Sequence, residues 1–146
     1  EEQPYFGGLG FVGRAWNSNS DAGTAIEASA IQAFNYLGKP GIQKRVTMFK
    51  PTFYTNGSPS LSGGVNVDFD TTISTTAVTL QTSLYGLWDS ATWDSSLWGP
   101  DIDLRQSWNG ARGVGNAFAP ALNASIDSVD LQWINSTLVF EEGGII

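Results

Sequence analysis

Leu87-Trp88-Asp89-Ser90-Ala91-Thr92-Trp93-Asp94-Ser95-Ser96-Leu97-Trp98-Gly99 places a tryptophan at every fifth position, and the first two are each followed by Asp-Ser. A five-residue step matches neither the 3.6-residue period of a helix nor the alternation of a strand. It suits a chain that turns repeatedly, because Asp and Ser side chains bond to backbone N–H groups a residue or two further on. Each turn returns one indole to a common surface, where the rings bury much apolar area and each N–H needs an acceptor. The expectation is a tryptophan-rich turn ribbon in which Trp88, Trp93 and Trp98 pack into the body and Asp89 and Asp94 form the turns. A ribbon of this kind belongs to a chain of short strands.

The flanking sequence alternates in the way strands do. Val78, Leu80, Thr82 and Leu84 lead into the ribbon as one strand. Val65, Val67 and Phe69 alternate with Asn66, Asp68 and Asp70, an antiparallel strand with one buried face. In Lys44–Tyr54, Val46 and Met48 share a face with Lys44 and Lys50, while Thr47 and Phe49 share the other with Arg45. Pro51 has no N–H to give a ladder, which predicts that this strand ends there or lies on an edge. Asn56-Gly57-Ser58-Pro59 is a turn. Leu104–Trp108 reads as a short strand, and Asn109-Gly110 and Arg112-Gly113-Val114-Gly115 read as turns. Phe118, Leu122, Ala124 and Ile126 share one parity around Pro120, which marks an edge or bulge. In Asp130–Phe140 the apolar parity switches, from Leu131 and Trp133 to Leu138 and Phe140, and a bulge near Asn135 accounts for it. Ala25–Leu37 fits helical and strand spacing alike, but it has no charge for a solvated helix face except Glu27. These readings give an all-β fold, an antiparallel β-sandwich of which the jelly roll is one form. It occupies residues 22–146 as a single domain, after an irregular glycine-rich arm at 1–21.

A chain of 146 residues is one domain, large enough to bury a core without staples. It contains no Cys and no His, which removes disulfides, thiol chemistry, the commonest metal ligands and the commonest general base. No run is apolar enough for a membrane span, and none reads as a signal peptide. The first residue is Glu, which suggests a processed product or a piece of a longer chain. Net charge is −7, so the domain lacks the electrostatic term that supplies most nucleic-acid affinity. Lys39, Lys44, Arg45 and Lys50 cluster in one short stretch. Lys44, Arg45 and Lys50 are therefore candidate interface residues, with acidic partners such as Glu141 and Glu142 on the same or a neighbouring chain.

Gly8-Leu9-Gly10-Phe11-Val12-Gly13 matches the letters of a dinucleotide loop, but such a loop follows a strand and opens a helix. Here it runs into the turn-rich Trp16–Asp21 and reads as a flexible arm. Without His or Cys, the route open to catalysis is a glycosidase-type carboxylate pair drawn from Glu27, Asp68, Asp70, Asp89, Asp94, Asp101 and Asp103. Asp68 and Asp70 would lie about 7 Å apart on one strand face, a spacing common on solvated surfaces. Asp101-Ile102-Asp103 and Asp127–Asp130 lack the ligand spacing and glycine of a calcium loop. The expectation is a non-enzyme with no cofactor and no metal site. Tryptophans beside Asp also suit a carbohydrate cleft, so a carbohydrate-binding module is the alternative to packing.

Several stretches together carry a family resemblance. They are Val12-Gly13-Arg14-Ala15-Trp16, Ala33-Phe34-Asn35-Tyr36-Leu37-Gly38, Lys44–Pro51, Val65–Asp70, the Leu87–Gly99 ribbon and Phe140-Glu141-Glu142-Gly143-Gly144. With these, most of the chain resembles a domain at the C-terminal end of tail hub or nozzle proteins of short-tailed bacteriophages, the packaged-DNA stabilisation type. The resemblance implies a β domain with a structural role in the virion tail, and it favours the strand reading of Ala25–Leu37. The expected partners are other tail proteins in a homo-oligomeric ring; the acidic charge argues against specific nucleic-acid binding and the lack of an apolar run against a membrane. It brings no catalytic residue.

Overall fold

The computed structural model describes residues 2–15, 18–86 and 91–143, and among these there is no helix. The strands are β1 (Tyr5–Gly8), β2 (Phe11–Arg14), β3 (Ile26–Ile31), β4 (Lys44–Thr55), β5 (Ser60–Val67), β6 (Asp103–Gln106), β7 (Asn109–Gly115), β8 (Phe118–Ile126) and β9 (Leu131–Glu142). Every pairing between them is antiparallel. One sheet runs β3-β8-β5. In the other, β4 is central, with β9 along one side and β7 and β6 end to end along the other. Between the two sheets lie Val46, Phe49 and Phe53 of β4, Leu61 of β5, Ala111 of β7, and Phe118, Leu122 and Ala124 of β8. The fold is an all-β sandwich.

The alternation in Lys44–Tyr54 does mark a strand, but Pro51 neither ends it nor puts it on an edge. Pro51 stands opposite Ser136 in the β9 ladder. On its other side it falls in the gap between β7, which reaches Phe49, and β6, which begins at Thr52. One ladder rather than two must accommodate it. The expected faces also change, because the register shifts between Val46 and Met48. Val46 and Phe49 therefore both point inward, at 1% exposure each, and Met48 points out. Pro120 is likewise interior to the sheet. Its carbonyl accepts from Gln32 N at 2.9 Å, so its absent N–H faces the place where the chain has left the β3 ladder. The chain rejoins at Asn35, which exchanges two backbone bonds with Phe118. The bulge expected near Asn135 is present: Thr52 pairs with Asn135 but Phe53 pairs with Trp133, leaving Ile134 as the extra residue.

Other expectations are corrected. Asn109–Gly115 is strand β7, not a pair of turns. Its glycines serve close approach, since a Cβ at Gly113 or Gly115 would collide with the Val67 side chain. Val78–Leu84 forms no strand. Val78 donates to Leu61 O at 2.9 Å and is buried, but beyond it no ladder forms. Strand β5 starts at Ser60 and stops at Val67, so Phe69 is outside it. Asp68 and Phe69 take positive φ values of 47° and 67°. That turn is held by the Asp68 carboxylate, which accepts from Asn116 N at 2.8 Å and Ala117 N at 3.0 Å, and by Phe69 against Phe34 with ring centroids 4.8 Å apart. In Ala25–Leu37 the strand reading holds for Ile26–Ile31.

The arm expected to be irregular contains the β1–β2 hairpin. Its register pairs Phe6 with Gly13 and Gly8 with Phe11. A Cβ on either glycine would meet the facing ring, so each ring lies flat on bare backbone. The two rings meet edge to face at 6.1 Å. No ladder joins this hairpin to the two larger sheets.

Two outcomes follow from this packing. Phe118, fully buried at the sheet interface, should cost about 3–5 kcal/mol when replaced by Ala, measured by urea unfolding. Asp70 accepts from Thr72 N at 2.9 Å, and this backbone hydrogen bond holds its carboxyl below the ordinary aspartate pKa. Its stabilising effect is complete above the unfolded value and disappears as pH falls through the folded one. An NMR titration should find its midpoint below that of a free aspartate, and a normal midpoint would remove the assignment.

Candidate functional site

Of the ribbon, Trp88 and Asp89 lie outside the described residues. Trp93 is 73% exposed, which corrects the expectation that it packs in the core. Its ring stacks at 4.7 Å, tilted 38°, on that of Trp98, which is half-buried. The turn at 92–96 is closed by the Thr92 carbonyl, which accepts from Ser95 N at 3.3 Å and Ser96 N at 3.1 Å. Thr92 Oγ1 and Ser95 Oγ bond to each other. Asp94 is exposed and enters none of these bonds. Among the described residues, the turn-forming chemistry expected of Asp94 is carried out by Asp68, Asp70 and Asn35. The ribbon docks on the chain through Gly86 N, which donates to Leu97 O at 2.9 Å beside a parallel Tyr85–Leu97 bridge.

The basic stretch divides. Lys44 is 0% exposed and donates to Lys39 O at 2.6 Å and Ile42 O at 3.0 Å, so it ties down a loop and is no interface residue. Burial of an ammonium is tolerable only with such partners. Lys39 pairs with Glu142 at 2.8 Å, the same-chain acidic partner that the sequence allowed. Lys50 is half-buried with its Nζ 5.1 Å from the Trp108 ring centre. Arg45 is exposed and stands opposite Glu141 in the β4–β9 ladder.

Sequence reasoning missed a cleft. It is about 500 Å³ and lies between the β4–β5 turn (56–58), the segment 83–86 and the segment 99–103. At its edge the polarity of β6 is inverted: Leu104 is 47% exposed while Arg105 is 7% exposed. Arg105 turns inward because it crosses to the β4–β5 turn, where Nη1 donates to Gly57 O at 2.7 Å and to Ser58 Oγ at 3.2 Å. Its Nε has no hydrogen-bond acceptor, and the nearest carboxylate oxygen, Asp103 Oδ2, is 3.7 Å away. That oxygen accepts from Ser83 Oγ at 3.2 Å. Tyr85 supplies an aromatic wall, and Gly99 sits so close to its ring that a Cβ there would clash. The one signal in the sequence was a lone cation, Arg105, two residues after Asp103 in an acidic region.

The carboxylates expected to share a strand face do not form a pair. Asp68 is bound to the β7–β8 turn and Asp70 to its own turn. Among the described residues no group of three Asp, Glu, His or Cys is placed to hold a metal ion, and no helix is long and apolar enough to cross a membrane. Comparison with known family models, characterised proteins and solved structures gave no match.

Magnitudes separate the two readings of Trp93. A core tryptophan costs about 3–5 kcal/mol on truncation, whereas a surface ring stacked on one neighbour is worth about 0.5–1.5 kcal/mol. Trp93→Ala should therefore lower stability by about 1 kcal/mol in urea unfolding.

Proposed function

We propose that this chain is a structural domain of a bacteriophage tail, of hub, nozzle or tube-associated type, acting through contacts with other tail proteins in a ring of identical copies. The observation that supports assembly is the β1–β2 arm. Tyr5 is 65% exposed, Phe11 57% and Val12 77%, and no ladder connects them to the sandwich. A two-stranded hairpin is marginal in water by itself. Phe6 and Phe11 share one face of the hairpin and Tyr5 and Val12 the other, so both faces present exposed apolar groups of the kind that mark a protein contact. The cross-strand rings give it a fixed shape to present. The virion context rests on the family resemblance in the sequence. The acidic balance and the internal use of Lys39 and Lys44 fit a wall that nucleic acid passes without being gripped.

Native mass spectrometry of the full chain should show a closed oligomer. Replacing both Phe6 and Phe11 by Ser should shift it toward monomer while the far-ultraviolet circular dichroism of the sandwich is kept. A wild-type chain that stays monomeric at the highest attainable concentration would overturn the assembly reading.

A further inference from the structure

We infer that the outer edge of β3 receives strand β2 of a second copy, so that the arm of each copy extends a sheet of the next. The inference deepens the assembly reading above and rests on it. The β3-β8-β5 sheet has two borders. At the β5 border the segment 76–78 lies alongside: Gly63 N donates to Thr76 O and Val78 N to Leu61 O, both at 2.9 Å. Among the described residues no segment lies along the β3 border in this way. Its ladder to β8 runs from Ile26 to Ile31 without a bulge, and the strand has no proline, no lysine and one charge, Glu27. An edge lacking these guards is a template for another strand. The space beside it is apolar. Ala28 and Ala30 stand opposite Ala124 and Leu122 of the core, which directs them inward, yet both are exposed. A cavity of about 190 Å³ opens between them and Phe53, Leu131 and Trp133 of the facing sheet.

Pattern and charge select the occupant. The β1–β2 hairpin has no ladder to either larger sheet, and Arg14 is the one charged residue in its strands. Arg14 is exposed and forms no ion pair among the described residues. An antiparallel pairing that sets Arg14 opposite Glu27 also sets Gly13 opposite Ala28, Val12 opposite Ser29 and Phe11 opposite Ala30. Opposed residues share a face, and opposite charges in such pairs are favourable. The face carrying Phe6 and Phe11 is therefore the one turned to the cavity, where the alanines leave room for rings. A slip of one residue would separate the charges and turn both rings to solvent. In its own chain the hairpin lies beside Ile26 without pairing to β3. The connection has its slack taken up: Asp21 and Thr24 exchange two backbone bonds, and Asn19 is held by Ser128 N and by Asp130. An arm placed on the next copy's edge is a heterologous contact, the kind that closes into a ring.

The test uses the absence of cysteine from the chain. In the double variant Val12→Cys/Ser29→Cys both sites are exposed and this pair holds the only thiols. After mild oxidation of the full chain, non-reducing denaturing electrophoresis should show a ladder of covalent multimers. Mass spectrometry of the digest should find position 12 linked to position 29. Ala30→Lys, which points a charge inward from the edge, should shift the native oligomer to monomer with its circular dichroism unchanged. Arg14→Glu should weaken assembly by about two- to tenfold, and Arg14→Glu/Glu27→Arg should restore it. A link confined to single chains would place the arm on its own β3 and overturn the inference. So would an oligomeric wild type that gives no link between 12 and 29, that Ala30→Lys leaves intact, or that the charge swap does not restore. In those cases assembly stands and uses another surface, whereas a monomeric wild type removes both readings.

Discussion

The fold depends on β4 being paired along its length by β9 and, on the other side, by β7 and β6 with a gap at Lys50 and Pro51. It meets β9 from Lys44 to Thr55 and is met on the other side by β7 and then β6. From the same strand come Val46, Phe49 and Phe53, which fill the space over β8. Both ends are anchored by buried polar groups. At one, the Lys44 ammonium gathers the carbonyls of Lys39 and Ile42. At the other, Thr55 Oγ1 accepts from Gly57 N at 3.2 Å and fixes the turn into β5. That turn is also the acceptor for Arg105, so the placement of the cleft follows from where β4 stops.

Alternation made much of this legible. Val65 and Val67, the β8 parity and the Leu131–Phe140 switch all correspond to strands, and the switch even located the bulge. What alternation could not show was an element held by its neighbours. β7 reads as turns because Gly110, Gly113 and Gly115 have no side chains to alternate; Gly113 and Gly115 are glycine where Val67 and Asp68 approach. Val78–Leu84 has the right pattern but no β-ladder beyond Val78, being held instead by side chains such as Asn109 on Thr79 and Asp103 on Ser83. Pro51 and Pro120 looked like edges because a sequence does not reveal where a neighbouring ladder is interrupted. The candidate site was the least legible part. Arg105 matters through contacts with Gly57 and Ser58, nearly fifty residues earlier in the chain, and nothing local announces them.

Two departures from the usual partition of polarity mark this chain. Large apolar groups stand outside, in the arm and at Trp93, where the sandwich has no use for them. Charged groups lie inside, at Lys44 and Arg105. The two buried cations differ in consequence: Lys44 is given two carbonyls by its own loop, whereas Arg105 retains a donor beyond what its turn accepts. The first closes a loop and the second ties β6 to the β4–β5 turn.

Strand β9 borders the second sheet, and between Leu131 and Phe140 it carries no charge and no proline. Such an edge invites a further strand and, by repetition, a fibre. The extra residue at Ile134 changes this. A bulge bends and twists the strand, so a straight strand aligned with Leu131–Trp133 is out of step beyond Asn135. The border is divided into two short stretches that one flat template cannot match together. A kink that looks like an irregularity of the ladder thus guards the chain against stacking without end, and it does so without spending a single lysine on the task.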